Sequence, residues 1–150
     1  MNCTLIAVDK LREAYVREGC GLYLERLAPT MPVSVREIRP GSGPHAADAE
    51  AEKILRHLGD ATVLWALDER GTLVTSTAFA RMLAALGRTG ARDLTLVIGG
   101  ASGLSAAVRR RADFVWSLSP LTYLHEMARL IVLEQLYRAM KINRGEPYHR

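Results

Sequence analysis

Short apolar runs alternate along the chain with longer stretches in which apolar residues recur at helical spacing. The nearly unbroken runs are typical of strands buried on both faces of a parallel sheet, and the runs predict strands at residues 3–8, 33–38, 62–67, 94–98 and 114–118. Helical spacing predicts helices at residues 10–27, 46–58, 76–86, 105–112 and 125–140. Strands that alternate with helices predict an α/β fold, a parallel sheet flanked by helices.

Turn residues separate these elements. Asp9 is a possible cap for the first helix, and Pro40–Pro44 is the strongest loop signal of the chain. Asp68–Gly71 is predicted to be a turn after the third strand, and Lys141–Arg150 an extended tail. In the last helix Met127, Leu130 and Ile131 form part of a predicted apolar stripe.

Composition places the protein among globular domains. With 150 residues and 49% hydrophobic residues, residues 1–150 are expected to form one domain. No apolar run approaches membrane-spanning length and the first residues lack a basic leader, so we expect a cytoplasmic protein without a membrane partner. Two cysteines and four scattered histidines predict neither a disulfide framework nor a metal site.

The net charge of +4 is concentrated at one end of the chain. Residues 101–150 carry eight basic and four acidic side chains, and seven of the eight are arginines. Arginine suits phosphate groups, so an anionic partner near this third is one interpretation; the alternative is a general preference for arginine over lysine.

Ligands of open parallel sheets bind beyond the carboxyl ends of the strands, where three loops are predicted. These are Asp68–Gly71, the glycine-rich Gly99–Gly103 and the apolar Leu118–Leu124. Glycines allow a backbone to approach a ligand closely, but Gly99–Gly103 matches neither a dinucleotide fingerprint nor a P-loop, so a plain strand-to-helix turn is the alternative. The apolar loop suits a flat apolar group such as adenine, or it is a buried connection. His125, taken alone, is more often a helix-start residue than a catalytic group.

Several motifs together identify a family. They are Ile98-Gly99-Gly100-x-x-Gly103-Leu104, Trp116-Ser117-Leu118-Ser119, Leu121-Thr122, His125, Arg129, Glu134–Ala139 and the final Pro147-Tyr148-His149-Arg150. The chain resembles, over its whole length, the bacterial ribosomal RNA large subunit methyltransferase H family of the SPOUT superfamily.

This resemblance implies an S-adenosylmethionine-dependent enzyme that methylates N3 of a pseudouridine in helix 69 of 23S rRNA. It also implies that the enzyme acts on assembled ribosomes as a homodimer and has no DNA partner. The implied fold is a parallel α/β sheet whose C-terminal part forms a deep trefoil knot. The cofactor site implied is Leu67, Gly99, Gly100, Leu118, Ser119, Pro120, Leu121, Thr122, Tyr123 and Leu124. Leu124 replaces a proline that is common in the family, which loosens the loop without removing backbone hydrogen-bonding groups.

The implied reaction needs few catalytic groups, because a sulfonium methyl is already electrophilic and alignment does most of the work. The N3 proton must leave, so His125 and His149 are candidate bases, and Arg129 and Arg150 candidate stabilisers of the anion. Tyr148 is a candidate for stacking on a base. We interpret Glu134 as a structural ion-pair partner.

Further expectations concern the two protomers. The tail residues Tyr148, His149 and Arg150 are expected to reach the cofactor pocket of the opposite subunit, and part of the stripe at Met127, Leu130 and Ile131 to pack on that partner. Gly100→Val is expected to abolish cofactor binding while the fold survives. Two alternatives stay open: a SPOUT methyltransferase that acts on tRNA, and a ribosome-associated module without catalytic activity.

Overall fold

Five strands and five α-helices alternate along the chain in the computed structural model. The structure describes residues 1–149, and side chains as far as Tyr148; Arg150 and the His149 side chain lie outside the described residues. The elements are β1 (Asn2–Val8), α1 (Ala14–Leu27), β2 (Val33–Ile38), α2 (Ala46–Leu55), β3 (Val63–Leu73), α3 (Ser76–Arg88), β4 (Asp93–Ile98), α4 (Ala106–Arg111), β5 (Phe114–Ser117), α5 (His125–Asn143) and a 3-10 helix (Pro147–His149).

The strands form one parallel sheet between two layers of helices, so the predicted α/β fold is confirmed. The strand order is β2-β1-β4-β3-β5, and every neighbouring pair is parallel. α1, α3 and α5 cover one face, where Val16, Phe79 and Val132 belong to the larger hydrophobic core. α2 and α4 cover the other face, around Ile54 and Val108. No described helix has the length and apolar character that crossing a membrane requires.

The third strand is longer than predicted. We expected Asp68–Gly71 to be a turn that ends β3. Instead this segment is a bulge within β3, and after it Thr72 and Leu73 pair again with β5. Gly71 permits this close return, because a Cβ at that position would lie 2.6 Å from the carbonyl oxygen of Val115. The strand therefore continues beyond the bulge, and the bulge projects from the carboxyl edge of the sheet.

The first helix begins at Ala14 rather than at Lys10, and Asp9 does not cap it. Asp9 has a φ of 71°, an unusual left-handed conformation for a residue other than glycine. The start of α1 is satisfied instead by the buried carboxylate of Glu126, which accepts hydrogen bonds from the backbone N–H groups of Arg12 and Glu13. A contact across 113 residues thus replaces the local cap.

The last helix also differs from the prediction. It extends to Asn143, and the segment we expected to be an extended tail contains a 3-10 helix. Its buried face consists of Val132, Leu133, Leu136 and Ala139, together with Glu126 and Arg129. The predicted stripe at Met127, Leu130 and Ile131 is only half-buried. On α1, the apolar residues Tyr15 and Leu22 are 58% and 44% exposed.

Candidate functional site

A cleft of about 540 Å³ lies at the carboxyl ends of β3, β4 and β5. This volume is within the usual range for small-molecule sites. Four segments line it: the start of the β3 bulge, the glycine-rich turn, the loop after β5 and the first turn of α5. The lining residues are Leu67–Arg70, Ile98–Leu104, Trp116–Ser119, Leu121–His125 and Ala128.

Most of the residues that the sequence predicted to bind the cofactor lie together in this cleft. Each residue of the predicted cofactor set lines it except Pro120, which lies between the lining residues Ser119 and Leu121. His125 lines the cleft as well. Residues that the prediction missed include Asp68, Glu69 and Arg70, although their loop had been selected by the rule that ligands bind at the carboxyl edge.

The glycine-rich turn is closed by its own backbone. Gly103 donates its N–H to the carbonyl oxygen of Gly100 at 3.0 Å and has a φ of 72°. Ser105 then caps α4, since its Oγ accepts the N–H of Val108 at 3.4 Å. Gly99 must lack a side chain, because a Cβ there would lie 2.7 Å from the carbonyl carbon of Gly103. The turn is therefore rigid and presents backbone groups to the cleft.

Gly100 lines the cleft with its backbone, while a side chain at this position would point into the protein interior. A Cβ at this position would lie 2.9 Å from Cγ1 of the buried Val8 and 3.6 Å from Oε1 of the buried Glu50. The Oε1 atom of Glu50 also accepts the N–H of Gly41 at 3.0 Å. In contrast to the sequence-based expectation, Gly100→Val is therefore expected to destabilise the fold, because the branched side chain would overlap the buried Val8.

The loop after β5 is held by its own serines and leaves apolar side chains uncovered. Ser117 Oγ donates to the carbonyl oxygen of Ser119 at 3.1 Å, and Ser119 Oγ accepts the N–H of Leu121 at 3.0 Å. Leu121 is 69% exposed, and Tyr123 and Leu124 are exposed beside it. Exposed apolar side chains along a cleft favour a flat apolar ligand group or a covering protein surface.

Arg109 connects two walls of the cleft. Its guanidinium group donates to the carbonyl oxygen of Leu104, at the end of the glycine-rich turn, and lies 3.5 Å from Oδ2 of Asp68. Oδ1 of Asp68 accepts the N–H of Arg70 at 2.9 Å, which shapes the bulge. Sequence analysis missed Arg109, because nothing distinguishes it from its neighbours in a run of three arginines.

The other predicted catalytic residues lie elsewhere. Arg129 is 2% exposed and is not among the residues that line the cleft. Its guanidinium donates at 2.8 Å to Oε1 of Glu37 and at 2.8 Å to the carbonyl oxygen of Asp9. Tyr148 packs on the middle of α5, as described below, while Arg150 and the His149 side chain lie outside the described residues. Glu134 forms an ion pair with Arg138 at 2.7 Å, in agreement with the structural role expected for it.

The surroundings of Asp9 favour its anionic form. The pKa of Asp9 is lowered, first by the hydrogen bond from the Lys10 N–H, then by the positive charge of Arg12 and by His125.

Among the described residues no cluster of histidine, cysteine or carboxylate side chains is arranged to bind a metal ion.

Comparison with known proteins gives consistent results. A family described as predicted SPOUT methyltransferase matches residues 1–149. The chain is 41% identical to ribosomal RNA large subunit methyltransferase H of Carboxydothermus hydrogenoformans, over all of both chains. It is 43% identical to the protein of the same name from Pelotomaculum thermopropionicum, over 99% of this chain and 98% of that one.

Solved structures share the fold at low sequence identity. A probable methylase family protein from Haemophilus influenzae Rd KW20 aligns with a TM-score of 0.59 at 12% identity, over 99% of this chain and 70% of that one. A probable methyltransferase from Bordetella pertussis Tohama I aligns with a TM-score of 0.58 at 14% identity, over 93% and 96% of the two chains.

The position of Gly100 predicts a stability defect. Gly100→Ala should lower the free energy of unfolding by about 1–3 kcal/mol, because the added methyl group overpacks the site against Val8. Gly87→Ala is the matched control: Gly87 lies within α3 with nothing near its missing Cβ, so alanine should be neutral or stabilising there. Urea unfolding measures both variants. Equal midpoints would show that Gly100 tolerates a side chain.

Proposed function

Because the chain belongs to the ribosomal RNA large subunit methyltransferase H family of SPOUT methyltransferases, we propose that it methylates N3 of a pseudouridine in helix 69 of 23S rRNA on the assembled ribosome. The cofactor is S-adenosylmethionine, which supplies an electrophilic methyl group when it is bound. The observation that supports the proposal most directly is the full-length match to these relatives, joined to a cleft at the carboxyl edge of the sheet. A cytoplasmic location, with the ribosomes, belongs to the same proposal.

The cleft fits this cofactor by its chemistry. Adenine is flat and largely apolar, and Leu121, Tyr123 and Leu124 offer uncovered apolar surface. The ammonium and sulfonium groups are cationic, and Glu69 brings a carboxylate to the lining, while the neighbouring Asp68 carboxylate is paired with Arg109. Residues 67, 99–100 and 118–124 would hold the cofactor between the bulge, the glycine-rich turn and the apolar loop.

The protein's own part in the reaction is mainly alignment. The turn and the loop are held by internal hydrogen bonds, so they hold their shape before substrate arrives. In the proposed reaction an imidazole nitrogen of His125, which lines the cleft, accepts the N3 proton of pseudouridine. His149 and Arg150 are proposed to add a second base and an anion-stabilising group from the tail.

A deep trefoil knot is also part of the proposal. β5 lies at the sheet edge beyond β3, whereas α5 packs against both α1 and α3. The chain must therefore return past the connection between β3 and α3 to reach its final position. Passage of this returning segment through that connection would form the knot, and it would bring the loop after β5 into the cleft.

Two features support a homodimer in which each tail completes the partner's cleft. Met127, Leu130 and Ile131, in the first half of α5, remain half-buried in the single chain. The tail also leaves α5 at the end opposite His125: the hydrogen bond and ring contacts of Tyr148 on this helix are with Glu134, Tyr137 and Arg138, and Glu134 is already about 13 Å along the helix from His125.

The proposed cofactor contact can be tested at Leu121. Leu121→Asp should weaken the binding of S-adenosylmethionine at least tenfold, because an apolar contact surface is lost and a charge is introduced, while an exposed position tolerates the change. Leu73→Asp is the matched control, since Leu73 is also more than half exposed but does not line the cleft. Calorimetric titration measures both, and equal affinities would remove the apolar loop from the site.

The proposed substrate predicts a preference for whole ribosomes. A single small domain with a net charge of +4 offers few phosphate contacts, so the shape of the ribosome must contribute to binding. Transfer of labelled methyl groups to unmodified ribosomes should exceed transfer to a naked helix 69 hairpin by at least tenfold, and mass mapping should place the methyl on one pseudouridine. A methyl group on tRNA, or no transfer despite cofactor binding, would favour the two alternatives.

The exchange of tails between protomers predicts complementation. Deletion of residues 148–150 should abolish methylation but leave S-adenosylmethionine binding intact. A Leu121→Asp protomer mixed with a tail-deleted protomer should recover part of the activity, because the heterodimer has one intact cleft facing one intact tail. Heterodimers that form without any recovery would place each tail over its own cleft.

A further inference from the structure

The chain turns back on itself directly after α5. Gly145 has a φ of 70°, and its N–H donates to the carbonyl oxygen of Ile142 at 3.0 Å. The N–H of Glu146 donates to the carbonyl oxygen of Lys141 at 2.9 Å, which completes a Schellman motif. The Glu146 carboxylate also contacts the ammonium of Lys141 and lies 3.6 Å from Arg144. These contacts fix the direction in which the tail leaves the helix.

The turn directs Tyr148 into a set of side chains that we call the tyrosine cluster: Tyr23, Glu134, Tyr137, Arg138 and Tyr148. The Tyr148 ring meets the Tyr137 ring edge to face, with 4.8 Å between centroids, and the Arg138 guanidinium lies 4.9 Å from the Tyr148 centroid. The Tyr148 hydroxyl lies 3.3 Å from the Tyr23 hydroxyl and donates to Oε1 of Glu134 at 3.4 Å. Both ends of the side chain are therefore engaged.

The cluster is itself well supported. Arg138 donates to the same Glu134 oxygen from Nε at 3.0 Å and from Nη2 at 2.7 Å. The other Glu134 oxygen accepts from Gln135 at 2.6 Å, and Gln135 in turn accepts from Ser76 at 2.6 Å. Burial and the hydrogen bond with Tyr23 raise the pKa of Tyr148, so the phenol stays neutral. The cluster thus joins α1, α3 and α5 to the tail.

We propose that Tyr148 is a positioning residue, which is anchored in the tyrosine cluster and sets where the last two residues of the chain emerge. It does not stack on a base of the RNA, because Arg138 covers its ring and its hydroxyl is bonded within the protein. This inference rests on the proposed function, in which the tail acts on the nucleotide. It changes the role that the sequence predicted for Tyr148.

Hydroxyl deletions on the two facing tyrosines test the anchor. Tyr23→Phe should lower kcat about two- to tenfold, as expected for one lost hydrogen bond, and Tyr148→Phe by at least as much because it also removes the hydrogen bond to Glu134, with the Kd for S-adenosylmethionine unchanged in both. The double variant should be no slower than Tyr148→Phe, because that change already removes the contact between the two hydroxyls. Tyr148→Ala should lose more activity, and Tyr148→Phe retains part of it because the ring contacts remain.

Tyr15→Phe is the matched control, since Tyr15 also lies on α1 but is 58% exposed, and it should be as active as the unmodified protein. Thermal unfolding of each variant separates a loss of folded protein from a loss of kcat. Unchanged kcat in Tyr23→Phe, with an inactive tail deletion, would overturn the anchor but not the proposed function. An additive double variant would also overturn it. A fully active tail deletion would overturn both proposals.

Discussion

The buried guanidinium of Arg129 determines where the last helix lies, and the rest of the site depends on that helix. Arg129 joins α5 to the carboxyl ends of β1 and β2 through Asp9 and Glu37. One turn earlier Glu126 satisfies the start of α1. Removing one partner of a buried ion pair commonly costs about 3–5 kcal/mol, and less here because Glu37 is more than a third exposed. His125 is held at the cleft because Glu126 and Arg129, which follow it on α5, are buried and bonded in the core.

Local sequence pattern predicted the order and type of the elements but not the features that depend on distant contacts. The apolar runs of β1 and β4 predicted buried strands correctly, since a central parallel strand is apolar on both faces. The bulge of β3 was interpreted as a turn because Asp68–Gly71 has turn composition. Only the pairing of Thr72 and Leu73 with β5 shows that the strand continues. The start of α1 was misplaced for the same reason, because its cap is on α5.

The position of the cleft was predicted well, because it is formed by backbone segments at the edge of the sheet, whereas the placement of individual side chains was predicted poorly. Glycine and loop positions follow from topology, so the cleft was located before the structure was known. In the sequence, an arginine at position 129 looks the same whether its side chain faces a substrate or the core. Its burial depends on Glu37, 92 residues away in sequence. Tyr148 posed the same problem, because an aromatic residue near a chain end shows no sign of the cluster that receives it.

The two ends of α5 separate the two groups of residues on which the proposed chemistry depends. The first turn contributes His125 and Ala128 to the cleft, while the last turn releases the tail in a fixed direction. A helix of 19 residues is about 28 Å long, so one copy of α5 holds these groups far apart. In the proposed homodimer, a two-fold axis that pairs two such helices in opposite directions would bring the tail of one beside the cleft of the other. A rigidly anchored Tyr148 serves such an arrangement better than a loose tail, because an ordered segment has less conformational entropy to lose when it meets its partner.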